Sequence, residues 1–552
     1  MSFSTVGSQS TSSGVGTRCS SRSWMVLSGS VPKCLPPLFV LFMLGQGCGP
    51  APHIASDSTP VVEGSSLDAS PSPTPVGETP EITEGDDDSI VTMTPGDETP
   101  GDETPGDETP GDETPGGETP AEPSPTPVAA TPYPIETCIE GARTFWVPDT
   151  SSATAASLEV EATCLLIGPH AYLYVDDTLL DEGVDEDVVS AYLDRFENDA
   201  DGPEAGLSEG IYALVHATFG EPPDVFDGDP RIYLLVTALG DAPDASGEAR
   251  AVGVLFNKND ELSEDVVIRL SEGAAHSNEI EILYINGAAF DLLDETILGG
   301  SAWELEQLVA YNYDTSEDLW MEEALGASAA AMMGFSLEED AIADYLRSPE
   351  QPLVTDEDER SAGAFALWGI YLSEQLDDDI LGAITQSELH GISGLNEALE
   401  AEGADVEFQT LFLNWSAANV IRDAGIDDGQ YGYVGMDALP DVSVRQTFTG
   451  TGGSYQGAVL PFGIDYFSIT SINKGSRLEV AGDQPAMLDV ELIAWGPEGT
   501  SVKSLRLNAD GIMETTLEGG KDWSYMVVVT NLNSAQVDTG TTLAYSLTVE
   551  DT

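Results

Sequence analysis

Basic residues are what this chain most lacks. It has 552 residues, 98 of them acidic and 18 basic, for a formal net charge of −80 at pH 7. A field of that sign repels nucleic acid and anionic head groups, so nucleic acid is not an expected partner. Histidine is nearly as scarce. His53, His170, His216, His276 and His390 are the complete set, and no two stand four residues apart. That removes the usual helical pair of zinc-binding imidazoles. Five cysteines occur without a C-x-x-C pair, so a zinc ribbon or a dithiol redox motif has no basis. Beyond the N-terminal region no run of 18 apolar residues occurs, and no membrane-spanning helix is expected.

The few basic residues near the N-terminus carry information. Arg18, Arg22 and Lys33 precede an apolar stretch from Leu35 to Leu44, and the first 48 residues hold no Asp or Glu. That is the pattern of an export signal. The stretch Leu44-Gly45-Gln46-Gly47-Cys48 resembles a bacterial lipobox. The resemblance implies acylation of Cys48, attachment to a membrane through that lipid anchor, and residence at the bacterial cell envelope or surface, or secretion. A chain beginning at Cys48 would keep 98 acidic and 15 basic residues, a net charge near −83. Cys19 and Cys34 would leave with the signal, so Cys138 and Cys164 remain as an even pair for one disulfide in an oxidising compartment.

Composition then divides the chain. Residues 1–48 are the export signal and 49–135 a linker. Within the linker Pro95 to Pro120 contains five P-G-x-E-T units, four of them P-G-D-E-T. Proline blocks regular structure and the acidic charges repel, so this segment is expected to be an extended, solvated spacer. Fully stretched, it could hold a domain on the order of 200 Å from its anchor. Residues 136–435 form the main domain. Strands are expected at 157–167 and 170–176, joined around Gly168-Pro169, and at 231–238, 250–256 and 279–285. Amphipathic helices are expected near 185–198 and 207–219, with Val188, Tyr192 and Phe196 at helical spacing. From Gly287 to about Asp423 the pattern is helical, so the class is α+β with a mixed sheet. Residues 436–552 read as short alternating strands with Gly-rich turns, a small C-terminal β-sandwich. It displays no catalytic group, and its expected role is attachment or protection.

The chain is organised around residues 297–335, two helices joined by a polar turn. The first carries Trp303-Glu304-Leu305-Glu306-Gln307 and the second Trp320-Met321-Glu322-Glu323-Ala324-Leu325. This is the frame of a zinc-peptidase site, His-Glu-x-x-His on one helix and a ligand Glu on the next. Together with 169–177, 219–237 and 277–287, it resembles the hyicolysin-like zinc metallopeptidases, a thermolysin-type group, over roughly residues 141–425. The resemblance implies a zincin-like fold. It assigns the general base to Glu304 as a vestige and the third zinc ligand to Glu323. Trp303 and Gln307 stand where both His ligands should be, and Ala327 where an acidic residue would steady a ligand. Zinc is therefore not expected. Trp303 should fill the vacated metal volume, Gln307 should bond a carboxylate, and Glu306, off both helical faces, should be solvated. Converging buried carboxylates would raise one another's pKa.

Other motifs carry less. Gly206-Leu207-Ser208-Glu209-Gly210 fits the G-x-S-x-G pattern but follows an acidic loop instead of the strand a nucleophile elbow needs. Ser208 is read as a helix N-cap. His276, without a second His nearby, is read as a polar loop residue. Asp224, Asp227 and Asp229 could gather carboxylates for calcium, and Asp199 and Asp201 resemble an EF-hand start, with Ser208 where the bidentate Glu belongs. Three functions stay open. One is an exported, lipid-anchored pseudo-metallopeptidase, a binding or structural module with a protein or peptide ligand in its cleft. The second is an active secreted metallopeptidase with an unusual metal site around Glu304 and Glu323. The third is a surface spacer or coat protein.

Overall fold

Three short apolar runs, 171–176, 232–237 and 282–286, form the centre of the main sheet. The last two are buried along their whole length, and the first at every residue but Tyr172. In the computed structural model, residues 134–550 are described apart from 139–140, 153–155, 199–208, 244–248, 336–337, 356–360, 435, 437–438 and 451. The strands are β1 (Glu136–Thr137), β2 (Ala142–Pro148), β3 (Ser157–Ile167), β4 (Ala171–Asp176) and β5 (Ile232–Thr237). They continue with β6 (Asp241–Pro243), β7 (Ala249–Ala251), β8 (Val254–Phe256) and β9 (Ile282–Asn286). Seven of them make one mixed sheet in the order β1-β3-β4-β5-β9-β8, with β2 also on β3, while β6 and β7 pair separately. β4, β5 and β9 are parallel and the edge strand β8 is antiparallel to β9. Parallel strands are covered on both faces, hence their near-continuous apolar sequence. Leu173, Leu234 and Leu283 face the larger core, and Tyr174, Leu235 and Tyr284 a second, smaller one.

The expected strand at 250–256 is split, because 249–251 turns away to pair with β6. The strand at 142–148 was not among those expected. It pairs with β3 from Ala142↔Thr163 to Pro148↔Ser157. Cys138 and Cys164 form the expected disulfide, which ties the start of the domain to β3. His276 lies in the loop after α4, as expected, with its ring stacked on Trp146.

Eleven α-helices are described: α1 (Asp177–Glu182), α2 (Glu186–Glu197), α3 (Ile211–Phe219), α4 (Glu264–Leu270), α5 (Glu295–Tyr313) and α6 (Leu319–Met332), then α7 (Glu339–Arg347), α8 (Ala362–Gln375), α9 (Asp378–Thr385), α10 (Gly391–Ala401) and α11 (Phe408–Ile421). α3 begins after Gly210, its N-cap, so Ser208, which lies outside the described residues, is not the residue that caps it. α5 is buried at every position from Ile297 to Val309. It is enclosed by α2, α3, α6, β8 and β9, and so lacks a polar stripe.

The C-terminal region is β-rich, as expected. Its strands are β10 (Gln446–Thr449), β11 (Gly452–Val459), β12 (Ile464–Thr470), β13 (Arg477–Gly482), β14 (Leu488–Gly496), β15 (Gly499–Arg506), β16 (Ile512–Thr516), β17 (Ser524–Asn531) and β18 (Leu543–Glu550). They form a sheet of five, β10-β12-β17-β14-β15, and a sheet of four, β11-β18-β13-β16. Phe467, Val490, Val527 and Leu547 belong to the core these sheets share. The outer face of the larger sheet, with Ile464, Tyr466 and Val528, joins the core of the helical region. Tyr466 donates to the Ser416 carbonyl on α11 at 2.8 Å. The β-region is therefore packed onto the helices as part of one body.

Candidate functional site

The site is built where α5 crosses the edge strand β8. A side-chain carbon on Gly300 would stand 3.2 Å from Val254 Cγ2, so glycine lets the helix lie close against that strand. One turn later Glu304 is fully buried, and its Oε2 accepts the Phe256 backbone N–H at 2.8 Å. Its Oε1 is buried without a hydrogen-bond partner.

Directly after β8 a 3₁₀ turn, Lys258–Glu261, carries a lysine that no motif in the sequence marks. Asp260 pins this turn from inside the fold. Its carboxylate accepts from Asn278 N at 2.7 Å, Tyr284 Oη at 2.8 Å and Asn257 Nδ2 at 2.9 Å. Lys258 is thereby aimed inward, and its Nζ lies 2.5 Å from Glu322 Oε1 on α6, with side chains only 12% and 7% exposed. The contact is one of charge, since that oxygen lacks the alignment of a hydrogen bond.

Four glutamates converge on this one ammonium. Burial, first of all, pushes Glu304, Glu306 and Glu323 well above the ordinary carboxylate range. The negative charge of Glu322 adds to the effect in each, while Lys258 pulls the other way. Burial disfavours the charged form of a carboxyl, and Lys258 supplies the positive charge that offsets part of that cost.

The positions expected to bear metal ligands are occupied otherwise. Trp303 is buried, and its indole lies over Gly326 of α6, where a side-chain carbon would collide with the ring. The expected hydrogen bond from Gln307 to a carboxylate is absent. Its Nε2 is buried without a partner, because the side chain lines a pocket instead. Glu306, expected to be solvated, is fully buried; its Oε1 accepts from Thr385 Oγ1 at 3.2 Å. The reason is that α5 is covered on every side, so no face of it reaches water. Ala327 is buried and offers no carboxylate.

The pocket beside the cluster is lined by Lys258, Gln307, Tyr311, Asp314, Glu317 and Glu322, among others. Its empty volume is about 350 Å³ with its open mouth included, but the enclosed part has room for about one water molecule. Burial pushes Glu317 up to about 8, against the lowering effect of N–H donors from Gly391 and Asp318.

A catalytic zinc needs three protein donors and an open position. Here the two residues one turn apart are an indole and a carboxamide, and the nearby carboxyls already face an ammonium. The donor set does not fit zinc. The four described histidines each face a carboxylate, and of those carboxylates only Asp314 lines the pocket. His170 Nδ1 lies 2.7 Å from Glu197, His276 Nδ1 2.6 Å from Glu264, His216 near Glu221 and His390 near Asp314.

A second acidic group lies at the start of β9. Of the three aspartates expected to bind calcium, Asp229 is diverted. Its carboxylate takes Arg231 Nη1 at 2.9 Å and Tyr172 Oη at 2.6 Å. Burial alone would raise it, but those bonds and the Arg231 charge outweigh burial and hold it below the ordinary value. Glu281, just before β9, takes its place. One oxygen from each of Asp224, Asp227 and Glu281 lies within 4.8 Å of the others. Asp199, Asp201 and Ser208 lie outside the described residues, as do Cys48, His53 and the linker repeats.

No family model matches this chain, and no curated protein does. Among solved structures, the periplasmic g-type lysozyme inhibitor PliG of Aeromonas hydrophila is 13% identical and covers 19% of this chain and 96% of its own, with a TM-score of 0.14. The pre-peptidase C-terminal domain of a Bacillus anthracis collagenase is 12% identical over 20% of this chain and all of its own, with a TM-score of 0.16. A 4-O-methyl-alpha-glucuronidase specific for decorated arabinogalactans is 8% identical over 60% of this chain and 53% of its own, with a TM-score of 0.13. Scores this low support no functional argument. Among the described residues no helix is long and apolar enough to cross a membrane.

Proposed function

We propose that residues 136–435 are a zincin-like, metallopeptidase-like domain that has given up its metal. In this reading a buried lysine takes over the role of the missing positive charge, and the chain serves as an exported, lipid-anchored binding or structural module. The observation that carries the reading is Lys258 inside the carboxyl cluster. Its ammonium sits against Glu322 and opposes, without overcoming, the upward push of burial on Glu304, Glu306 and Glu323, in the direction a bound cation would act. The indole of Trp303 over Gly326 supports it, because the space at that ligand position is filled with apolar atoms. In this reading the carboxyls serve the fold around Lys258 and do not hold a metal. What remains is a rigid, charge-balanced junction between β8, α5 and α6.

Titration calorimetry with Zn²⁺ at neutral pH tests this. The wild type should bind no stoichiometric zinc. Trp303→His with Gln307→His should bind about one ion, with Glu323 as third ligand and affinity weakening as the imidazoles protonate. Adding Lys258→Met to that pair should tighten binding, because a fixed ammonium no longer repels the ion. Tight one-to-one zinc binding by the wild type, lost in Glu323→Gln, would overturn the reading in favour of a working peptidase.

A further inference from the structure

The loop between α3 and β5, residues 220–231, has no part in the cluster just described. Its sequence, Gly-Glu-Pro-Pro-Asp-Val-Phe-Asp-Gly-Asp-Pro-Arg, places two exposed aspartates, Asp224 and Asp227, beside Glu281. Exposed acidic clusters are common on so acidic a surface and mean little alone. Glu281 is different. It is 98% buried, its Oε1 has only a long 3.4 Å contact from Val225 N, and its Oε2 is buried with no hydrogen-bond partner. A buried, unsatisfied carboxylate oxygen costs free energy unless something positive meets it. The charged groups coupled to Glu281 are Asp227, Asp224 and Glu261, all of them acidic.

We propose that Asp224, Asp227 and Glu281 hold one calcium ion, with Glu281 as the buried ligand that anchors the 220–231 loop to the start of β9. The donor chemistry selects the ion. All three ligands are carboxylate oxygens, which suit hard cations over zinc or copper. Two oxygens each about 2.4 Å from a calcium ion stand at most about 4.8 Å apart, and the three donor atoms here lie within that distance. Asp229, held by Arg231 and Tyr172, acts as a brace for the loop's exit and is not a ligand. Asp227 also accepts from the Tyr233 hydroxyl at 3.4 Å, so a bound ion lies close to a phenol.

That phenol gives the test. In full-length protein, Tb³⁺ bound at this site should show tyrosine-sensitised luminescence that Ca²⁺ displaces in a single saturable step. Glu281→Gln should weaken Ca²⁺ in that step at least tenfold, Tyr233→Phe should dim the signal without changing the Ca²⁺ midpoint, and Asp229→Asn should leave a single step. Thermal unfolding separates a lost site from a lost fold. In chelator, Glu281→Gln should melt at or above the wild-type temperature, since it removes a buried carboxyl. Added Ca²⁺ should raise the wild-type midpoint and leave that of Glu281→Gln unmoved. The proposal is overturned if Glu281→Gln keeps the same saturable step, or if Ca²⁺ raises both midpoints equally, as diffuse screening of the acidic surface would.

Discussion

At the scale of single residues, Lys258 determines the character of the site. It is one of few basic residues in a chain with 98 acidic ones, and it is spent on a buried contact. Removing one partner of a buried pair leaves an uncompensated charge and costs about 3–5 kcal/mol, whereas replacing both by apolar groups is often neutral. Lys258→Met should therefore lower the unfolding midpoint strongly, and Lys258→Met with Glu322→Leu should recover most of the loss. A double-mutant cycle by thermal unfolding measures this. Equal, additive losses from the two changes would mean that the contact contributes nothing. Glu306 teaches the complementary lesson. Its carboxyl is buried and pushed above the ordinary range, with one hydrogen bond from Thr385, because its stretch of helix has no wet side.

At the scale of elements, α6 and α8 approach so closely that the Ala324 carbonyl of one meets Gly369 of the other. A side-chain carbon at Gly369 would collide with backbone, which cannot move aside as a flexible side chain can. Gly369→Ala should destabilise by about 1–3 kcal/mol through overpacking, despite the better helix propensity of alanine. Gly141→Ala is the control. Nothing lies within 4 Å of its added carbon, so its effect should stay within about 0.5 kcal/mol. Chemical denaturation of the two variants separates them, and matching midpoints would refute the close crossing. The same crossing leaves Ala327 buried against α8, which is why that position has no space for a carboxylate.

At the scale of the whole molecule, buried carboxyls set the response to pH. Burial pushes Asp260 up to about 7 from 3.8, and Glu261 up to about 9, Glu317 and Glu491 to about 8, and Glu374 to about 7, from 4.5. Between about pH 4.5 and pH 9 the folded chain holds protons that the unfolded chain has released. Stability therefore falls as pH rises across that window. Asp229, with its lowered value, works in the opposite sense, but only below about pH 4. The thermal midpoint should decline steadily from pH 5 to pH 9 in chelator. A flat or rising profile would show that these groups are ionised in the fold.

Local pattern sufficed for much of this protein. The stretch 157–167 is a strand with those bounds, and helical spacing over 185–198 yields α2 at Glu186–Glu197. The two helices bearing Glu304 and Glu323, the pairing of Cys138 with Cys164 and the β-rich C-terminal region were likewise legible, because each depends on neighbours along the chain or on cysteine count. Lys258 beside Glu322 and Glu281 beside Asp224 and Asp227 were not. In each pair the residues are more than 50 positions apart, and tertiary packing brings them together: the turn after edge strand β8 against α6 in one case, the start of β9 beside the α3–β5 loop in the other. Periodicity reports which face of an element is apolar, but not which element covers that face. Only the covering decided that Glu306 is dry, that Asp229 belongs to Arg231, and that the charge at the centre of the site is an ammonium.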